Sequence, residues 1–326
     1  MDFRVDEDQQ ALRDGIRSFC EGRVPLDALG ELASKELDRT LWRDLAEMGV
    51  FQLRLPEAGG GLGLGMAEAV LVFAELGRRL LPGPLVWSQL AAGLVEGAAS
   101  GEAVVGGLDR MLPGSEPILV EHLDQLDALL VLRPGGVHRL DPRSLRAEKV
   151  ATPLDPLTPI FEAAGLPEGE RIAGPEAAQQ LRLEGGALIA AQLFGIAEAT
   201  QELATAYAKG REQFGRPIGS FQALKHLLAD MFVRQELARS AAYAAGATLD
   251  HPEAGDPARA VSSAKVVAGD AALANSRACI QVHGGMGYTW EMPCHYYLKR
   301  TWALAGLFGS GEEHSERLAQ QVAAAL

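Results

Sequence analysis

Residues 211 to 229 read Arg211-Glu212-Gln213-Phe214-Gly215-Arg216-Pro217-Ile218-Gly219-Ser220-Phe221-Gln222-Ala223-Leu224-Lys225-His226-Leu227-Leu228-Ala229, and about fifty residues further on comes Gln281-Val282-His283-Gly284-Gly285-Met286-Gly287-Tyr288. Arg211 closes a long helical pattern and precedes a Phe-Gly-x-Pro break. A guanidinium placed there is permanently charged, and its fork of donors matches phosphate oxygens. Phe214 offers a flat apolar face to a ring system, and Gly215 permits a sharp turn. Gln281 followed by Gly284-Gly285 joins an amide to backbone that a ligand can approach closely. Taken singly, Arg211 could equally be a cation at a helix C-terminus and the glycines a simple turn. Both segments together, at this spacing within helical sequence, favour one shared ligand.

Outward from these segments the chain is organised in three parts. Residues 1–100 carry helical periodicity: Leu12, Ile16 and Phe19 form one stripe, and Val70, Phe73, Leu76 and Leu80 another. The Pro56-to-Gly65 stretch, dense in glycine, reads as a loop, and Pro82-Gly83-Pro84 as a stop. Residues 101–175 change character, with short apolar runs such as Ile118-Leu119-Val120 and Ala128-Leu129-Leu130-Val131-Leu132 between turn residues, which predicts a small β region. From 176 to 326 helical spacing returns in Ile189, Leu193, Ile196, Thr200, Leu203 and Tyr207, then in Leu224, Leu228, Met231, Gln235 and Ala238. Alanine-rich faces there predict an antiparallel bundle of four or more closely approaching helices.

Composition narrows the function classes. The chain has 326 residues, 48% of them hydrophobic and 22% charged, enough for a large core and two or three domains. A formal charge of −13 argues against a nucleic-acid partner, which requires a concentrated basic surface. No run of 18 uncharged apolar residues occurs, so membrane insertion is not expected. The start, Met1-Asp2-Phe3-Arg4-Val5-Asp6-Glu7, lacks the order of a secretion signal, and a cytoplasmic location is expected. Cys20, Cys279 and Cys294 are scattered in sequence; they read as reduced core or near-surface thiols, and no metal site is expected. His283, His295 and His314 fit no common metal spacing and are assigned structural or ligand-adjacent roles.

The two quoted segments and the helical–β–helical order resemble the acyl-CoA dehydrogenase family over nearly the whole chain, most closely from Leu188 to Arg300. The resemblance implies a mainly α fold: an N-terminal helical domain, a reduced middle β domain and a C-terminal four-helix bundle. It implies that Arg211, Phe214, Gly215, Gln281, Gly284 and Gly285, with Gly287, contact the ADP half of an FAD held mainly by a neighbouring subunit, and that Gln222 faces the same flavin.

Three departures from the family pattern alter the expected role. The family's usual catalytic Glu follows by nine residues the arginine matched here by Arg300, a place taken by Gly309, or by Ser310 with one insertion. The alternative family position, 26 residues before Arg211, is Gly185; Glu184 is adjacent, but one helical step turns a side chain by about 100°. The family's Thr-Glu-Pro-x-x-Gly-Ser-Asp-like stretch lining the flavin ring is missing, since Ser115-Glu116-Pro117 runs directly into Ile118-Leu119-Val120. No catalytic residue is therefore assigned in this chain. The resemblance is to the short subunit of bacterial α2β2 assemblies that degrade steroid side chains and rings, in which a full-length acyl-CoA dehydrogenase subunit supplies the base. An acyl-CoA substrate and an electron-transfer flavoprotein or similar acceptor follow from it. A self-sufficient homo-oligomer using Glu184, Glu312 or Glu313 as base, and an assembly subunit without flavin, are the alternatives.

Overall fold

Pro175 opens the longest element because its ring presets a helical φ where its missing N–H is not needed. The helix it starts, here α6, runs unbroken through Pro175–Gly210. At 1.5 Å per residue this rod is about 54 Å long, and the rest of the fold is arranged around it. The structure is a computed structural model that describes residues 5–112 and 117–324. Of the residues used in the sequence argument, Met1–Arg4, Ser115 and Glu116 lie outside the described residues.

Before α6 come α1 (Glu7–Arg23), α2 (Leu29–Leu32), α3 (Arg39–Glu47), α4 (Met66–Arg78) and α5 (Leu85–Ala91). Asp6 caps α1 through a capping box with Gln9, satisfying N–H groups that the first turn leaves unpaired. Strands β1 (Val105–Asp109), β2 (Ile118–Glu121), β3 (Ala128–Arg133), β4 (Gly136–Leu140), β5 (Ala147–Lys149), β6 (Ile160–Ala163) and β7 (Glu170–Ala173) follow. They form a sheet in the order β1-β3-β4-β7, with β1 and β3 parallel and the other pairs antiparallel, and a second sheet in the order β2-β6-β5. After α6 a short hairpin, β8 (Glu212–Gln213) and β9 (Arg216–Pro217), leads into α7 (Gln222–Asp250), α8 (Pro257–His283), α9 (Cys294–Ala305) and α10 (Gly311–Ala324).

Helix α6 is buried continuously from Glu184 to Ala197 because α4, α7 and α8 cover its different faces. Glycine makes the α4 crossing tight. A Cβ on Gly195 would lie 1.9 Å from the Ala74 carbonyl oxygen, and one on Gly77 would lie 2.3 Å from that of Gln192. Asn275, fully buried in α8, fixes the bundle's alignment by donating to the carbonyls of Ala197 (3.1 Å) and Met231 (2.9 Å). Those three levels place the C-terminal ends of α6 and α8 and the N-terminal end of α7 at one end of the bundle.

Arg300 joins the distant parts. Its side chain donates to Asp155 (2.5 Å) and to the Leu81 carbonyl (2.9 Å), tying α9 to the β region and to the turn after α4. Both partners of this ion pair are buried, so removing either would strand a charge in the core. Among the described residues, no helix is long and apolar enough to cross a membrane.

Candidate functional site

The end of the bundle marked by Arg211 is open and polar. Arg211 is the C-cap of α6, exposed, and engaged in no ion pair among the described residues. Its carbonyl accepts from the Ile218 N–H (2.8 Å), which closes the β8–β9 hairpin. The two residues at the hairpin tip, Phe214 (φ 54°) and Gly215 (φ 76°), are both left-handed, the signature of a two-residue turn between twisted strands. Glycine accepts that conformation freely. Phenylalanine does so at a cost of about 1–2 kcal/mol, and its ring is nevertheless 92% exposed. The ring approaches Phe221 edge to face, with centroids 6.1 Å apart, and otherwise stays open to solvent, a surface that another molecule could cover.

Gln222 begins α7 and is exposed beside this hairpin. Across the same end, Gln281 faces solvent from the last turn of α8, and Gly284 and Gly285 follow it, both exposed. Gly284 takes φ 61°, and a Cβ on either glycine would meet nothing within 4 Å. The backbone there is open to close approach by a ligand. Gly287 differs: it is buried, and a Cβ would lie 2.7 Å from the Ile280 carbonyl, so its role is packing within the turn. The Tyr207 ring stacks on His283 with centroids 4.1 Å apart, holding the ends of α6 and α8 side by side. The structure thus gathers Arg211, Phe214, Gly215, Gln222, Gln281, Gly284 and Gly285 at one end. A guanidinium, exposed amides and unobstructed glycine backbone suit the pyrophosphate and sugar of an ADP group.

The two positions where the family carries its base lie elsewhere, and the space around them is filled. Gly185 is 26 residues back along α6 from Arg211, about 39 Å at helical rise. A Cβ at Gly185 would sit 2.4 Å from the ring of Phe308, itself buried and packed on Trp87 with centroids 4.6 Å apart. Phe308, at φ 57°, is held in a left-handed conformation by this wedge. At Gly309 (φ 105°) a Cβ would lie 2.9 Å from His314 Nε2. His314 is buried with both ring nitrogens engaged, one at 3.0 Å from Ser262 Oγ and one at 3.1 Å from the Phe308 carbonyl, and burial pushes its pKa down to about 4.

The remaining acids are committed to structure. Buried Glu184 pairs with Arg54 and accepts from Gln180 at 2.8 Å. The Ser310 N–H donates to Glu313 Oε2 (2.7 Å) and the Glu313 N–H to Ser310 Oγ (3.2 Å), a reciprocal cap at the start of α10. Glu312 stands exposed in the first turn of α10, where an acid favours the helix dipole. Nearby, Lys265 of α8 donates to the carbonyls of Ala305 (3.3 Å) and Leu307 (2.7 Å); burial pulls its pKa down to about 7.

Two arrangements escaped the sequence reading. The β8–β9 hairpin was unread because Phe at a left-handed position carries no composition signal; only Gly215 hinted at it. The cysteines, scattered in sequence, are not all scattered in space: Cys279 and Cys294 meet near the Arg211 end of the bundle with Sγ atoms 3.6 Å apart. All three cysteines are buried and free. The helical spacing Cys279-x-x-x-His283 was the available signal, since it puts both side chains on one face.

Comparison with known proteins fits this geometry. The acyl-CoA dehydrogenase C-terminal domain family matches residues 174–323, and the N-terminal domain family matches residues 6–102. The Mycobacterium tuberculosis protein "Acyl-CoA dehydrogenase IpdE2" is 34% identical over 97% of this chain and 98% of its own length. The M. tuberculosis "Acyl-CoA dehydrogenase FadE34" is 31% identical over 94% of this chain but only 46% of its own length. Among solved structures, a chain of the ChsE4-ChsE5 complex from M. tuberculosis superposes with a TM-score of 0.86 at 23% identity, with 99% of both chains covered. A chain of the Tcur3481-Tcur3483 steroid ACAD G363A variant gives 0.84 at 25% identity over 99% of each. With helices, small sheets, motif segments and relatives in agreement, this chain belongs to the acyl-CoA dehydrogenase family, whose members are FAD-dependent oxidoreductases.

Proposed function

We propose that this chain is the non-catalytic subunit of a heteromeric acyl-CoA dehydrogenase, completing the FAD site of a full-length partner that supplies the base. The observation that carries this reading is that both positions where the family pattern puts its base lack a carboxylate and have no room for one: a Cβ at Gly185 would meet the Phe308 ring at 2.4 Å, and one at Gly309 would meet His314 at 2.9 Å. Those positions are glycines packed under Phe308 and His314.

When bound, FAD supplies the acceptor for the hydride leaving the β-carbon of the acyl thioester. This chain's part is binding and orientation. Arg211 neutralises the pyrophosphate, Phe214 covers a ring face, Gln222 and Gln281 offer amides, and Gly284 and Gly285 let the backbone approach. Removal of the α-proton requires a positioned base within hydrogen-bond reach, and Glu184, Glu312 and Glu313 are engaged or solvated away from any such position. An α2β2 assembly, a cytoplasmic location and an electron-transfer flavoprotein as acceptor complete the proposal. The ChsE4-ChsE5 complex and the Tcur3481-Tcur3483 steroid ACAD among the structural neighbours favour a heteromer acting on a steroid-derived acyl-CoA.

The test is co-expression with a full-length acyl-CoA dehydrogenase encoded beside this chain, followed by co-purification and flavin counting. We expect one FAD per heterodimer and little FAD on this chain alone. Glu312→Gln and Glu313→Gln should leave turnover of the complex within a few-fold of the parent, whereas loss of a general base costs about 10²–10⁴-fold. A homomeric preparation holding one FAD per chain and turning over acyl-CoA would overturn the reading.

A further inference from the structure

Beneath the flavin-facing surface lies a cluster that the dehydrogenase reading does not use. Cys279 and His283 stand four apart on α8, and Cys294 is the first residue of α9. The Sγ atoms of the two cysteines are 3.6 Å apart, and Cys279 Sγ is 3.8 Å from His283 Nδ1. One donor atom from each residue falls within 4.8 Å of the others. Both thiols are 0% exposed and His283 is 4% exposed, against an apolar wall that includes Ala204, Ala208, Met231 and Ile280.

We propose that Cys279, His283 and Cys294 bind a zinc ion that staples the end of α8 to the start of α9. Three physical points carry the assignment. The first is spacing. A tetrahedral zinc with Zn–S near 2.3 Å and Zn–N near 2.0–2.1 Å sets its donor atoms roughly 3.5–3.8 Å apart. Two of the three edges already have that length, so the trio is nearly a face of the tetrahedron, and the fourth position is left to water. The second is charge. Two thiolates and a neutral imidazole cancel a divalent cation, so the apolar wall receives a neutral group; a monovalent soft ion would leave a buried negative charge there. Binding releases the two thiol protons to solvent and breaks no covalent bond.

The third point concerns the bond that the metal must displace. His283 Nδ1 now lies 2.8 Å from the Cys279 carbonyl, four residues back along the helix. That oxygen is also the helical acceptor for the His283 backbone N–H, so the imidazole can turn to a metal without orphaning it. The ring keeps its Tyr207 stack as support. Residues 280–293, between the two cysteine ligands, include Gln281, Gly284 and Gly285. The ion therefore fixes the backbone from which the flavin-facing glycines are presented.

The experiment uses the full chain, with and without its partner subunit, under a non-chelating reductant. After loading with Zn²⁺ and desalting, elemental analysis should find one zinc per chain. Co²⁺ in its place should give an intense thiolate-to-cobalt charge-transfer band together with the strong visible bands of a four-coordinate ion. Cys279→Ser and Cys294→Ser should each weaken zinc binding by more than about a hundredfold, above the usual loss for a supporting residue; Cys20→Ser should change nothing. The cobalt spectrum is read on the unaltered protein, so the proposal stays open to refutation even if a serine variant misfolds. Zinc below a tenth of an equivalent, cobalt bound without the charge-transfer band, or a Cys279–Cys294 disulfide that forms equally with and without zinc would each overturn it.

Discussion

The two ends of α6 obey opposite rules. At the Arg211 end, polar and aromatic groups are held out to solvent, one of them against its own backbone preference. At the Gly185 end, Gly185 is covered by Phe308, which packs on Trp87, and Gly309 by His314, whose two ring nitrogens both have partners inside the chain. A cleft meant for an acyl chain would bear neither the wedge nor the paired His314. Under the proposed function, the contrast means that keeping a cofactor contact and keeping the chemistry are separable: the first needs one surface, the second a hollow interior.

The largest effect expected from breaking this contrast lies at the filled end. Phe308→Ala removes a buried ring and should destabilise the chain by about 3–5 kcal/mol, read as a lowered denaturation midpoint. Flavin retention by the surviving folded complex should not change. A loss below about 1 kcal/mol would mean that the space is already hollow. Next comes Arg211→Ala, which removes a charge-assisted contact worth about 1.5–3 kcal/mol and should lower flavin retention of the complex roughly tenfold or more, with chain stability unaltered. Unchanged flavin occupancy would return Arg211 to the status of a helix-end cation. The smallest effect is also the sharpest, because its two readouts move in opposite directions. Phe214→Asn puts a residue tolerant of left-handed φ at the hairpin tip, so the isolated chain should gain up to about 1 kcal/mol, while the complex holds flavin less well. Movement of both readouts in the same direction would remove Phe214 from the contact surface.

Much of this contrast could be read from the chain. Pro175, Asp6 and the spacing of Ile189, Leu193 and Ile196 announce helices through local chemistry, and local chemistry is written in sequence. Gly185 and Gly309 likewise declared that no carboxylate stands at either family position. What fills the space they leave was not legible. The Phe308 ring comes from 123 positions away, and nothing near Gly185 in sequence names it. The parallel pairing of β1 with β3 was hidden for the same reason, because strand order is decided by how the sheet packs and not by the strands' own residues. At the open end, residue identities were readable from the motif segments, while the hairpin that presents Phe214 and the meeting of Cys279 with Cys294 depend on chain reversals that composition does not encode.

The glycine crossing of α4 over α6 has a mechanical consequence. With Gly195 seated against the Ala74 carbonyl and Gly77 against that of Gln192, no side chain lies between the two backbones to yield. Moving either helix along the other would carry a Cβ-bearing residue into that gap, so the crossing fixes the axial register of α4 on α6. Gly195 stands ten residues from Gly185 and sixteen from Arg211, about 15 and 24 Å along the helix. One glycine contact thereby sets the height of both the filled position and the open end relative to the N-terminal helices.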